Sequence, residues 1–517
     1  MVRGEQAPMN ATKPEGRTIS PSSSATRAEN KDTQARADRA FLGHPRGLAT
    51  LFNLELWERF SYLGFQAILA LYFASAISQG GLGYEESTAS SIVAAYGALV
   101  YLLSIAGAWI ADRVSGTHHA VLWGGIIIAA GHIAMGVPTE VFTWVGLALI
   151  IVGTGLLKPN VSTMVGELYE KGDQRRDAGF SIYYSGINIG AFLGPLIAGW
   201  LGQTYNWHYG FAAAAVGMIA GVIQFIAGGK YLAGRKKGEE IRAAFRADKH
   251  FFTTVGLVAA AVVVAVVFAV SSRDSLGTLV NLVTIVTILV PFFYLVMMSR
   301  SSQVTQAEKK NLFPYSLLLV ALVMYNLTYF QTGNTLNFLA LDKTNNSIGS
   351  FTYPSTWYIS LTAIVEIVMG PALAWLWVKL GKRQPHVSAK VGIGAMLGGL
   401  AFLTVALGVT LTPNGGLLSA GWMILCYVCL GLGDLILQTS GMSATTKLAP
   451  RAFASQTMAL WFAAMALSQG IQAQIVKYFD LANAGEYFGI QGLIIAGYGL
   501  FLVVLTPWMN KQMNIVG

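Results

Sequence analysis

Apolar runs of about bilayer length recur along the whole chain, separated by short polar stretches. A spanning helix needs about 20 mainly apolar residues. Fourteen segments reach that length: 48–76, 89–112, 118–137, 142–168, 178–203, 208–232, 252–270, 277–298, 313–340, 356–380, 387–410, 418–442, 453–477 and 487–509. The pattern predicts an all-α polytopic membrane protein. Residues 1–45 are polar and lack the apolar core of a signal peptide, so a disordered cytoplasmic tail is expected there. Residues 46–232 read as a first six-helix bundle and 312–510 as a second. Between them, 233–311 read as a basic linker followed by two peripheral spanning helices, the first almost entirely Val and Ala over Val258–Val270.

Composition sharpens this. Of the 517 residues, 54% are hydrophobic and only 11% charged, which is too few charges for a soluble surface of this size. The formal charge of +9 reads as orientation rather than nucleic-acid binding. With the N-terminus inside and every span crossing, only Arg273, Lys343 and Lys477 fall on the outer side, Arg59 and Lys158 lie within spans, and the other basic residues face the cytoplasm. That is the positive-inside asymmetry, with both termini cytoplasmic. Cys426 and Cys429 have CxxC spacing inside an apolar run, without a second pair; packing is expected, and no metal or cofactor.

Charges inside spans are costly and stand out. Here they are Glu55, Glu58, Arg59, Lys158, Glu366 and Asp434. On the first helix, Glu55, Arg59, Tyr62 and Gln66 fall within roughly 60° of one another, with Glu58 beside them. A buried Glu55–Arg59 pair at i,i+4 is the structural alternative. Lys158 precedes Pro159 in a glycine-rich fourth helix and supplies a second cation. Two acids and two bases in one cavity balance to zero, and a proton on one acid frees a cation, which is a proton switch. The second half brings Asp434, and Glu366 sharing a face with Thr362. Cations on one wall and an anion on the other suit a zwitterion of peptide length, its carboxylate at Arg59 and Lys158 and its ammonium at Asp434. Two six-helix halves suggest a site between them at the midplane.

The turn Gly107-Ala-Trp-Ile-Ala-Asp112-Arg113-Val-Ser-Gly116, weakly repeated as Ala374–Arg383, resembles the cytoplasmic loop signature of the major facilitator superfamily. Further blocks resemble its proton-dependent oligopeptide transporter branch: Glu55-x-x-Glu58-Arg59-Phe60, Lys158-Pro159-Asn160, the segment Phe180–Pro195 with Asn188 and Gly190, and Thr445–Pro450 followed by Trp461-Phe462. The resemblance covers about residues 44 to 512, and the extra helix pair also occurs in bacterial members. It implies the superfamily fold and proton-driven import of di- and tripeptides by alternating access. It places proton coupling on Glu55, Glu58, Arg59 and Lys158, and peptide contacts on Arg59, Tyr62, Tyr101, Lys158, Asn188 and Trp461, with the peptide amine at Asp434.

Three positions depart from the family pattern. Gln66 stands where an arginine is usual, Gln331 where the seventh main helix usually has an acid, and Asp434 where a glutamate is usual. Gln66 and Gln331 are therefore expected to form a neutral outer gate, with Gln331 also touching peptide. Glu366 is expected to take part of the missing acid's proton role, a structural acid paired to a hydroxyl being the alternative. The expected partners are di- and tripeptides, protons and the lipid bilayer, not nucleic acid. The expected form is a monomer, not an enzyme, in a bacterial inner membrane. Transport of another solute on the same fold, such as nitrate or an organic conjugate, stays open.

Overall fold

A computed structural model describes residues 38–170, 173–232, 271–272, 274–413 and 416–513. Thirteen of the fourteen expected spans have a long helix there. The remaining one, 252–270, lies outside the described residues, as do most of the N-terminal tail and of the basic linker. The first half comprises α1 (Arg46–Ala74), α2 (Glu86–Ile110), α3 (Thr117–Met135), α4 (Glu140–Glu167), α5 (Arg175–Thr204) and α6 (Trp207–Gly228). Next comes α7 (Ser275–Arg300). The second half comprises α8 (Gln306–Tyr329), a short α9 (Thr335–Asp342), α10 (Trp357–Leu380), α11 (Val387–Leu411), α12 (Ala420–Leu448), α13 (Ala454–Ile475) and α14 (Ala484–Met513). Among the described residues, twelve helical spans are long and apolar enough to cross a membrane. The 29-residue α1 is not among them, because Glu55, Glu58, Arg59 and Gln66 lower its mean hydropathy. It is buried nonetheless, wrapped by α5, α6 and α2.

With lipid tails as solvent, apolar burial does little to hold helices together, and close packing through small residues takes over. The signature on α5 shows how. Gly186, Gly190 and Gly194 form a four-residue stripe laid on α1: a Cβ at Gly186 would meet Phe52, at Gly190 the Leu56 carbonyl and Arg59, and at Gly194 the Phe60 carbonyl and Gly64. In the second half, Gly392 and Gly399 of α11 meet Gly499 and Gly492 of α14 in the same way.

The second half begins with a capping box. Thr305 accepts from the Glu308 backbone N–H, and Glu308 accepts from the Thr305 N–H at 2.9 Å. The expected span 313–340 is broken: α8 passes into a 3₁₀ turn at Phe330–Gly333, and Asn334 restarts the helix by accepting from the Thr335 N–H. The halves touch along α2–α13 and α5–α10. The helix α7 has a largely exposed surface, as expected of a peripheral element, but it also joins the halves. Val280 and Val283 pack with Ala94, Ala95 and Ala98 of α2 and Ala473 of α13, and Thr284 donates to the Gly470 carbonyl at 3.0 Å.

If the glycine stripe sets the α1–α5 spacing, Gly190→Val destabilises the first half by about 1–3 kcal/mol. Thermal unfolding of the detergent-solubilised protein should show a lower Tm, with little change for Gly497→Ala, which faces open space.

Candidate functional site

The stripe on α5 brings α1 close enough to bury its charges. Glu55, Glu58 and Arg59 are 5%, 1% and 8% exposed. Burial of this depth requires pairing. Arg59 grips Glu58 with two bonds, Nε to Oε2 at 2.5 Å and Nη2 to Oε1 at 2.7 Å, and reaches Glu55 Oε1 at 3.3 Å. Tyr183 on α5 lies near Glu55, whose Oε2 is buried without a hydrogen-bond partner. The guanidinium also lies over the Tyr62 ring, 5.1 Å from its centroid.

Lys158 is held differently. Pro159 removes one backbone donor from α4, and beside it Asn160 donates its side-chain amide to the Leu156 carbonyl at 2.7 Å and to the Gly107 carbonyl on α2 at 3.3 Å. This anchors α4 to α2 beside Lys158. The Lys158 ammonium lies 4.4 Å from the Tyr101 centroid and 5.6 Å from that of Tyr62. Among the described residues it makes no ion pair. Tyr62 thus lies under both cations. Arg59 is committed to two carboxylates, while Lys158 is held only by aromatic faces.

Between the halves lies a cavity of about 160 Å³. The first half lines it with Arg59, Tyr62, Gln66, Tyr101 and Asn188, and the second with Tyr329, Phe330, Thr362, Glu366 and Asp434. Lys158 stands behind Tyr62 and Tyr101. On the far wall, Oδ1 of Asp434 is buried without a hydrogen-bond partner. Tyr329 lines the same wall as Asp434, Glu366 and Thr362. The sequence reading missed Tyr183 and Tyr329. Tyr183 sits inside a quoted signature, but no spacing rule ties it to Glu55 on another helix; Tyr329 faces the cavity because α8 breaks just after it.

Two expected contacts are not formed. Gln331 is buried within its own half: its amide donates to the Leu327 carbonyl and to Gln491 at 2.9 Å, while its oxygen accepts from Thr335 and Tyr487. It therefore meets neither Gln66 nor the cavity, because the helix break after Tyr329 turns it toward α14. Gln66 lies beside Gly333 instead. Trp461 is 3% exposed in the apolar core of the second half, its ring packed on Gly441 of α12. It does not line the cavity.

The halves are instead tied by neutral groups at one end, opposite the start of α1. Asn337 donates to the Ala67 carbonyl at 2.7 Å and accepts from Ser355. Gln203 donates to Ser355 and accepts from Thr356 at 3.1 Å. Ser360 donates to the Phe192 carbonyl, and Trp357 to the Leu196 carbonyl. Toward the other end α10 has no buried residue beyond Ala363.

Two helical bundles around a charged central cavity, sealed at one end, define an alternating-access transporter. Comparison with known proteins places it further. The family model described as "PTR2: POT family" matches residues 118–490. The chain is 43% identical over 480 residues to the uncharacterized transporter YclF of Bacillus subtilis (strain 168), covering 92% of this chain and 96% of that protein. It is 37% identical over 491 residues to a di-/tripeptide transporter of Lactococcus lactis subsp. cremoris, covering 93% and 99%. A crystal structure of a peptide transporter POT in complex with sulfate superposes with TM-score 0.87 at 42% identity, covering 93% of this chain and 99% of that one. The chain belongs to the POT family, as a multi-pass protein of the bacterial inner membrane.

Because Gln331 is bonded on all sides, Gln331→Leu strands Gln491, Tyr487 and Thr335 in a buried site and costs about 1–3 kcal/mol each where no other partner is found. A clear drop in Tm is expected, whereas Gln66→Leu, at a cavity wall, should shift it far less.

Proposed function

We propose that the chain imports di- and tripeptides together with protons, by alternating access between its two halves. The observation that carries this reading is one cavity shared by cationic and aromatic groups of the first half and two carboxylates of the second. A zwitterionic peptide fits that polarity. Its carboxylate goes to the side of Lys158 and Arg59, and its ammonium to Asp434. Tyr62, Tyr101 and Asn188 line the space between. A carboxylate-bearing wall disfavours nitrate, which has no cation to offer it.

The coupling step follows from the ion pairs. While Glu58 and Glu55 are charged they occupy Arg59, and only Lys158 is available to a peptide carboxylate. A proton on Glu58 removes the two-bond grip and releases Arg59 toward the cavity it already lines. Proton and peptide then bind to mutual advantage, which is the thermodynamic requirement of symport. The neutral clasp through Asn337, Ser355 and Gln203 closes the extracellular end, with both chain termini in the cytoplasm. The splayed half of α10 opens the site to the cytoplasm. Neutral bonds suit a gate that must break every cycle, since parting them leaves no stranded charge.

Purified protein in liposomes, given an inward proton gradient, should accumulate labelled dialanine, and other di- and tripeptides should compete. Glu58→Gln and Glu55→Gln should lower gradient-driven uptake by about tenfold or more while sparing counterflow, which needs no net proton movement. Lys158→Ala should weaken both. Equal loss of both activities in the acid variants would contradict the coupling role. For the clasp, Asn337→Ala with Gln203→Ala should expose a cysteine placed at Ala191 to an impermeant maleimide from outside, several times faster than in the parent.

A further inference from the structure

The far wall of the cavity carries two carboxyl groups, one more than a single peptide amine can pair with. Asp434 and Glu366 both line it and act on each other as like charges. Among the described residues, no Lys, Arg or His forms an ion pair with either. The cations of the first half do not fill the gap: Arg59 is spent on Glu58 and Glu55, and Lys158 sits over Tyr101 and Tyr62. Asp434 Oδ1 is buried without any hydrogen-bond partner. Two carboxyl groups on one cavity wall, neither ion-paired to the protein among the described residues, can accommodate two positive charges on the ligand.

We propose that Glu366 is a specificity residue selecting peptides whose N-terminal residue carries a cationic side chain, such as lysyl or ornithyl dipeptides. This rests on the peptide-transport reading and deepens it. Asp434 takes the α-ammonium. Glu366 stands beside it, so the second cation must branch from the same residue; a lysine at the C-terminal position would point toward the first half, where Arg59 and Lys158 repel it. The order Lys-Ala before Ala-Ala before Ala-Lys follows from this placement. A glutamyl side chain at the first position would meet two like charges and bind worst.

The test is competition against labelled dialanine in counterflow, where no proton gradient or potential biases charged peptides. In the parent protein the half-inhibitory concentration of Lys-Ala should lie about tenfold below that of Ala-Ala, and that of Ala-Lys above it. In Glu366→Gln the Lys-Ala to Ala-Ala ratio should collapse toward one, whatever the absolute rate. A ratio unchanged in Glu366→Gln, or a parent that treats Lys-Ala and Ala-Ala alike, overturns the assignment. So does a variant that keeps the ratio but loses gradient-driven uptake alone, which would make Glu366 a proton site. If Glu366→Gln does not transport, the same ratio is read from peptide-induced thermal stabilisation of the detergent-solubilised variant. Failure of every peptide to compete in the parent would instead sink the peptide-transport reading.

Discussion

Everything in the molecule is arranged around a guanidinium buried in the middle of a membrane helix. Arg59 cannot stay charged there alone, and Glu58 and Glu55 on the same helix hold it with contacts of 2.5, 2.7 and 3.3 Å. That arrangement dictates the packing of α1. A helix with three charges within five residues cannot face lipid, so α5, α6 and α2 enclose it. The glycines of α5 permit the close approach. The cavity then falls where the polar face of α1 looks across at the second half.

The two cations of the first half differ in how they are restrained, and the proposed coupling rests on that difference. Arg59 is locked by carboxylates, so in the proposed cycle its availability depends on a proton. Lys158 is restrained only by the faces of Tyr101 and Tyr62, at 4.4 and 5.6 Å, and needs no proton to be released. Arg59 lines the cavity itself, while Lys158 stands behind its aromatic wall. Opposite them, Asp434 and Glu366 have no ion-pair partner among the described residues, the observation on which the proposed selection of a cationic ligand rests.

The gate illustrates how one departure is absorbed elsewhere. Gln66 and Gln331 replace a residue pair that the family usually charges, yet they do not meet. The halves are tied instead through Asn337 of α9 and through Ser355 and Thr356 before α10, which reach Ala67 near the end of α1 and Gln203 near the end of α5. Gln331 becomes an internal strut of its own half, tying the turn after α8 to α14 through Gln491 and Tyr487.

The order of apolar and polar residues was enough to mark the thirteen spans found among the described residues and their approximate limits, because lipid forces each span to satisfy its own backbone within one segment. It also marked Glu55, Glu58, Arg59, Lys158, Glu366 and Asp434, since a charge within an apolar run is costly wherever the run packs. It could not decide which of them touch. The pairing of Arg59 with Glu58 rather than chiefly with Glu55, the burial of Trp461 against Gly441, the turning of Gln331 toward α14 and the neighbourhood of Glu366 and Asp434 are set by contacts between helices. Those depend on glycine-sized approaches and on the break after Tyr329, features of three-dimensional packing that no single helix carries in its own periodicity.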